Sequence, residues 1–393
     1  MARSERRNNP ATNLLVTGAK GFIGKNLVVA LRQREGVEVF EYDVDSSRDE
    51  LERYLFAADV VYHLAGINRP ERAEEYGPGN AGLTGEICDS LRRLGRSPAV
   101  VVASSAQALL STPYGVSKGR AEKIALDFAK ETGSQVVVFR LPGVFGKWCH
   151  PNYNSVVATF CHNIARDFPI SISDPAKSLD LVYIDDVCAA MLEASGILAG
   201  PPGHLVGLSG YAAVDPVYTT TLGGLARTIY AFRDFRRTLA VPLLSDPFVA
   251  RLYATYLSYL EECDFAYNLD VKADNRGDLA EFLKASSFGQ IFVSHTTPGA
   301  TRGNHYHHTR TEKFLVVAGE AVIRFRHVLE AKVIEYRVSG KEHRVMDIPP
   351  GYAHSIENVG SGELVTLFWT DAVFDPERPD TFHEEVLRDG AGR

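Results

Sequence analysis

Between Gly299 and Gly319 the chain reads GATRGNHYHHTRTEKFLVVAG, and this stretch limits the possible fold more than any other. His305 and His307 stand two apart, a spacing that puts both imidazoles on one face of a strand. Glu312 joins that face only if the polar segment 308–311, His-Thr-Arg-Thr, turns the chain. Farther on, PPGYAHSIEN places His354 after Gly351, where a paired strand can bring it alongside. Three imidazoles and one carboxylate suit zinc, and also iron, nickel or manganese. The runs GQIFVSHT, KFLVVAGEAVIRFRHV, KVIEYRVSG, HRVMDIPPG and LVTLFWT lie around these residues, separated by Gly, Pro and Ser. From about 264 onward the pattern predicts an all-β barrel.

The first half has a different period. NLLVTG (13–18) is an apolar run, followed by Gly18-Ala-Lys20-Gly21-Phe22-Ile23-Gly24 and then KNLVVALRQ at helical spacing. A strand, a glycine-rich turn and a helix start form a dinucleotide fingerprint: the glycines admit a pyrophosphate close to the backbone, and the helix N-terminus favours its charge. VEVFEYDVD (37–45), ADVVYHLAG (58–66) and PAVVVASSA (98–106) read as further strands with helical patterns between them. This alternation predicts a parallel sheet with helices on both faces. Asp43, at the end of the second strand, suits a ribose 2′-hydroxyl and favours NAD. Lys20 and Arg69 are the cations that can hold a 2′-phosphate instead.

Just beyond the Ser-Ser strand end stands Tyr114-Gly-Val-Ser-Lys118. On a helix, residues four apart share a face. A lysine ammonium there is expected to lower the phenol's pKa, so that the tyrosine passes a proton to a substrate oxygen while hydride moves. Ser104 or Ser105 can hydrogen-bond the same oxygen. Asn152, Tyr153 and Asn154, in a polar and aromatic stretch after the next strand, are candidates for a substrate pocket.

Length and composition agree with a multidomain enzyme. The 393 residues carry 45% hydrophobic and 23% charged residues, an ordinary globular mix with room for two or three domains. The net charge of −7 leaves no basic footprint for nucleic acid. No apolar run reaches the ~18 residues of a membrane span. Residues 1–12 lack an apolar core and read as a flexible tail rather than a signal peptide. Five scattered cysteines without a Cys-x-x-Cys point to a reduced, cytoplasmic protein. The expected domains are a reductase over 13–243, a helical connector over 244–263 and a metal-binding β domain over 264–393.

The first 240 residues resemble the extended short-chain dehydrogenase/reductase superfamily, with HLAG (63–66) as the cofactor-lining strand that carries Leu64, Ala65 and Gly66. Ser104-Ser105 resembles its serine box, Ser105 aligning better. R-x-P-x-V-F-G (140–146) and LVYIDDV (181–187) resemble later boxes, with Gly143 where Asn is usual. The usual adenine-contact box is not readable between the second and third strands. The two histidine boxes resemble those of the cupin family, with His343 where a glycine is expected. Taken together, the blocks GAKGFIGKNL, NRPE after HLAG, FGKWC, LY-TYLSYL, EKFLVV and VIRFRHV resemble the CapF/WbjC family of bacterial capsule and O-antigen synthesis over nearly all of 13–385.

That resemblance implies a bifunctional enzyme of the route to UDP-N-acetyl-L-fucosamine. Its cupin part would epimerise C3 of UDP-2-acetamido-2,6-dideoxy-L-arabino-4-hexulose, and its reductase part would reduce the C4 ketone with NADPH. The product would be UDP-2-acetamido-2,6-dideoxy-L-talose. Cupin barrels often pair, so the likeness also implies a homodimer. Two rival expectations are an enzyme for another nucleotide-linked 4-keto sugar and a non-catalytic metal- or cofactor-sensing protein.

Overall fold

The apolar runs of the first half become parallel strands. β1 (Thr12–Thr17), β2 (Val37–Tyr42), β3 (Val60–His63), β4 (Ala99–Ser105) and β5 (Val136–Leu141) lie in the order β2-β1-β3-β4-β5, with the short strand Gly210–Ala212 beyond β5. β1, β3 and β4 are almost wholly buried, as expected of strands covered on both faces. The helices α1 (Phe22–Arg32), α2 (Arg48–Ala57), α3 (Leu83–Arg93) and α4 (Pro113–Thr132) alternate with them. Leu15, Val61, Val100, Val102 and Val138 of the sheet pack with Leu51, Leu55, Ile87, Leu91 and Phe128 of the helices. The helix ends are written in the sequence. Ser47 and Glu50 form a reciprocal capping box on α2. Thr112 caps α4, Pro113 opens it, and Gly133 ends it at φ 75°.

This is a computed structural model, and it describes residues 11–196, 209–239, 241–274, 277–280, 289–372 and 377–388. Most of the expected tail, residues 1–10, lies outside them. The Rossmann-like parallel sheet matches the fold class expected of the first half, and from Ala266 onward the described elements are all strands, as the short runs predict. One antiparallel sheet takes its strands in the order Ala266–Asn268, Arg344–Ile348, Glu312–Ala318, Leu364–Thr370 and Gln290–Thr296. The other runs Val333–Ser339, Glu320–His327, Tyr352–Asn358, Thr301–Tyr306 and Phe382–His383.

The chain divides into two compact units that interleave in sequence. The first is the chain up to Val144 with Trp148–Ser155 and Leu179–Thr219. The second is Phe145–Lys147, Val156–Ser178 and the chain from Thr220 onward. The helices α5 (Val156–Ala165), α7 (Leu222–Thr238) and α8 (Pro247–Leu257) thus group with the β sheets, while α6 (Ile184–Ala194) stays with the Rossmann-like sheet. Phe232 of α7 packs on Tyr253 and Tyr256 of α8 with ring centroids 5.1 and 5.9 Å apart. The periodicity that predicts one boundary near 243 identifies helices but carries no information about the partner each apolar face meets. Among the described residues no helix is long and apolar enough to cross a membrane.

Candidate active site and candidate metal centre

In the Rossmann-like unit the glycine loop follows β1. Gly18 has φ +70°, and a Cβ there would lie 2.8 Å from the backbone of Ala65. A Cβ on Gly24 would lie 2.0 Å from the Gly18 carbonyl oxygen. The loop therefore closes onto both the HLAG strand end and α1 only because these positions lack side chains. Gly21 caps α1, which begins with Phe22 and Ile23. Asp43 accepts the backbone N–H of Lys20 at 2.7 Å and that of Val44 at 2.8 Å. Its carboxylate thus shapes the turn between loop and strand. The Lys20 ammonium pairs with Asp45 at the surface, which raises its pKa. Arg69 donates to the Tyr153 carbonyl, so it ties the strand end to the loop bearing exposed Asn152, Tyr153 and Asn154.

Tyr114 and Lys118 lie in the first two turns of α4. Ser105 lies beside the Tyr114 side chain, and the Tyr76 ring packs 5.5 Å away. Burial raises the Tyr114 pKa, and the neighbouring Ser105 acts in the opposite sense. The expected depression by Lys118 is not what this structure has: the buried ammonium donates to the Ala103 carbonyl at 3.1 Å. Burial instead lowers Lys118 to about 8, with Glu122 acting in the opposite sense. Ser104 departs from the substrate role expected of it. Successive strand residues point to opposite faces, and Ser104 turns inward to donate to Glu122 at 2.5 Å. Ser105 is the serine that meets the tyrosine.

Several positioning residues carry no sequence signal of their own. The Ala65 N–H donates to Thr17 Oγ1, and His63 is hydrogen-bonded between Thr17 and Thr84 at 2.9 Å each. Thr84 Oγ1 donates to the Asn80 carbonyl. That donor order leaves the Thr17 hydroxyl to donate to His63 Nδ1 and the proton on Nε2. Burial lowers the His63 pKa to about 3, so the ring is neutral. Asn80 lies in a short π-helical segment and donates to the Ile67 carbonyl and to Ser117 Oγ, while accepting from the Ile67 N–H. A Cβ on Gly66 would sit 2.6 Å from Asn80 Oδ1 and 3.1 Å from Lys118 Nζ. The HLAG strand end is thereby locked to α4.

In the β unit the four metal-type residues come together. His305 lies directly opposite His354 on the strands Thr301–Tyr306 and Tyr352–Asn358. A bulge between Gly303 and His305 sets the aim of His305. At Gly303 φ is +100°, and a Cβ would lie 2.7 Å from the His354 carbonyl. His307 follows the strand end, and Glu312 opens the next strand. One donor atom from each of the four lies within 4.8 Å of the others. Nε2 of His307 and Nε2 of His354 are each 3.4 Å from Glu312 Oε2. Both nitrogens are buried without a hydrogen-bond partner. Their Nδ1 atoms face the carbonyls of Asp380 and Tyr352, at 2.6 and 3.3 Å, which puts the ring protons there and the lone pairs inward. Burial and the other two imidazoles lower His305 to about 3. This donor set and its orphaned nitrogens fit a divalent transition metal.

Asp380, which no motif announces, supports the centre. Its carboxylate accepts the backbone N–H groups of His308, Thr309 and Arg310 at 2.8–3.0 Å and so forms the turn that brings Glu312 round. Lys313 points away from Glu312, as strand alternation predicts, to a fully buried pair with Asp347. Tyr306 is buried against Phe382 and His308. Tyr352 packs on Phe265 and His327. Arg324 and Arg326 of VIRFRHV are both held by partners within the β unit. Arg324 pairs with Glu335 and Glu357. Arg326 is 1% exposed and donates to the carbonyls of His327, Glu330, Glu385 and Val386.

Comparison with known proteins finds two families along the chain. Residues 14–199 match the NAD dependent epimerase/dehydratase family, and residues 272–382 match the polysaccharide biosynthesis C-terminal domain. The UDP-2-acetamido-2,6-beta-L-arabino-hexul-4-ose reductase of Pseudomonas aeruginosa is 42% identical over 369 residues, 94% of this chain and 97% of the relative. The spore coat polysaccharide biosynthesis protein SpsL of Bacillus subtilis is 25% identical over 118 residues, 28% of this chain and 78% of the relative. The crystal structure of the capsular polysaccharide assembling protein CapF from Staphylococcus aureus covers 95% of this chain and 100% of its own, at 44% identity and a TM-score of 0.64. With matching domains in the same order and a 42%-identical relative along nearly its whole length, the chain belongs to the CapF/WbjC family.

Proposed function

We propose that this chain is a bifunctional nucleotide-sugar enzyme. Its β domain, read as a cupin, epimerises C3 of UDP-2-acetamido-2,6-dideoxy-L-arabino-4-hexulose. Its reductase domain converts the C4 ketone to the alcohol of UDP-2-acetamido-2,6-dideoxy-L-talose. The observation that carries this reading is the Ser105–Tyr114–Lys118 line at the end of β4, beside the glycine loop. The Pseudomonas relative is named for reduction of such a 4-keto sugar. A non-catalytic sensor would have no use for these residues.

A reduced nicotinamide, when bound, supplies the hydride. Gly18, Gly21 and Gly24 with the N-terminus of α1 would hold its pyrophosphate, and Leu64, Ala65 and Gly66 would line its path. Ser105 orients the C4 oxygen, and the Tyr114 hydroxyl, kept protonated by burial, gives that oxygen its proton. Lys118 holds positive charge on the same helix face. Asn152, Tyr153 and Asn154 border the sugar side. NADPH is the cofactor read here on the family likeness: the Asp43 carboxylate holds two loop amides, and Lys20 and Arg69, which pair here with Asp45 and the Tyr153 carbonyl, are the nearby cations. In the β domain, His305, His307, Glu312 and His354 would hold zinc or another divalent metal, which when bound supplies positive charge beside an enolate oxygen. The proton at C3 is acidic because it lies next to the C4 ketone. The chain acts as a homodimer in the cytoplasm on this reading.

The test is NMR of the enzymatically generated 4-keto sugar in deuterated water without nicotinamide. Deuterium should enter C3. NADPH added next, with NADH in parallel, should give the reduced sugar faster than NADH. No exchange at C3 with metal-loaded protein would reduce the β domain to a binding or structural role.

A further inference from the structure

Glu122 lies four residues beyond Lys118 on α4 and lines the same small internal cavity, together with His63, Asn80, Thr84 and Ser104. Residues four apart on a helix are neighbours. Its side chain is 2% exposed, yet three side chains converge on it. Arg140 on β5 meets both its oxygens, through Nε at 3.0 and 3.1 Å and Nη2 at 2.6 Å. Ser104 on β4 donates at 2.5 Å, and Tyr211 on the strand Gly210–Ala212 donates at 3.2 Å. The Arg140 guanidinium stacks 3.9 Å over the Tyr211 ring. A buried carboxylate so fully bonded stays ionised. The titratable and charged groups facing Lys118 are therefore neutral His63 from β3, Tyr114 and Glu122 from its own helix, and Arg140 behind Glu122 from β5.

We propose that Glu122 is a positioning residue for ketone reduction: clamped by Arg140, Ser104 and Tyr211, its carboxylate is the internal counter-charge that keeps the buried Lys118 ammonium charged on the Tyr114 face of α4. This rests on the reductase reading above. A lysine buried against apolar strands and a neutral histidine would otherwise shed its proton near neutral pH. The device explains why Ser104 turns inward while Ser105 faces the tyrosine: the two serines serve the two ends of one charge arrangement.

The test is the pH profile of kcat/KM for NADPH-dependent reduction in the full chain with Glu122→Gln and Glu122→Asp. In Glu122→Gln the alkaline limb should move down by about one pH unit, and in Glu122→Asp it should move the same way by less. Nicotinamide binding by fluorescence titration and C3 exchange in the β domain report that each variant is folded. A variant that binds cofactor and keeps the wild-type limb overturns the proposal, as does a uniform loss of rate at every pH. If Glu122→Gln does not accumulate as folded protein, the limb of Glu122→Asp decides by the same criterion. A wild-type chain with no reductase activity would refute the reductase reading itself, a separate result.

Discussion

Replacing Tyr114 by Phe removes one oxygen and leaves the ring, so its structural and chemical effects can be weighed separately. The ring contact with Tyr76 at 5.5 Å is kept, and what is lost is at most one hydrogen-bonding hydroxyl beside Ser105. One hydrogen bond at a partly buried site contributes about 0.5–1.5 kcal/mol, too little to unfold a domain of this size. Loss of a general acid costs roughly 10²–10⁴ in rate, or about 3–5 kcal/mol at the transition state. Tyr114→Phe should therefore bind nicotinamide normally, keep its thermal midpoint within a few degrees, and lose at least ~100-fold in kcat. Following NADPH absorbance with the 4-keto sugar measures this, while C3 deuterium exchange continues unaffected. Reduction within about tenfold of wild type would refute Tyr114 as the proton donor. The pH profile adds a second check. Burial raises Tyr114 but lowers Lys118 to about 8. The tyrosine therefore keeps its proton above the pH at which the ammonium loses its own. In the wild type, kcat/KM should fall above about pH 8, with the lysine setting the limb.

His305→Ala should release the bound metal and abolish C3 exchange while ketone reduction persists; full metal occupancy by elemental analysis would count against this ligand set. Gly24→Val should abolish nicotinamide binding, because its Cβ would lie 2.0 Å from the Gly18 carbonyl oxygen, and a wild-type binding isotherm would show that the loop is not the cofactor cradle. Lys313→Met should destabilise the β unit by roughly 3–5 kcal/mol, since among the described residues it leaves the buried Asp347 carboxylate Arg236 alone as a cation, at 3.4 Å. Urea unfolding followed by tryptophan fluorescence measures that loss. The Lys313 pKa stands well above its ordinary value, so this contribution is fully present below about pH 10.4 and fades only as pH rises through the folded-state pKa.

Much of this protein was legible without coordinates because the informative patterns are short. A Gly-x-x-Gly-x-x-Gly turn between strand and helix, a Tyr and a Lys four apart, and His-x-His followed by Glu each lie within one or two elements. Backbone geometry alone converts such spacings into shared faces. The period of the apolar runs likewise separated a parallel sheet from an antiparallel β domain. The opposite aims of Ser104 and Ser105 could be foreseen from strand alternation, and the likeness to the reductase superfamily already favoured Ser105 as the one beside the tyrosine.

The tertiary structure decided whatever depends on partners distant in sequence. Ser104 and Arg140 both reach Glu122 across 18 residues, and the Asp380 carboxylate forms the 308–310 turn from some 70 residues away. Arg326 finds two of its carbonyl acceptors about 60 residues on, at Glu385 and Val386. It also decided that α5, α7 and α8 join the β sheets, since an apolar helix face is the same in sequence whatever covers it. Electrostatics followed the same division. The identities of His63, Tyr114 and Lys118 are local facts, but the directions of their pKa shifts come from burial and from groups brought close by folding.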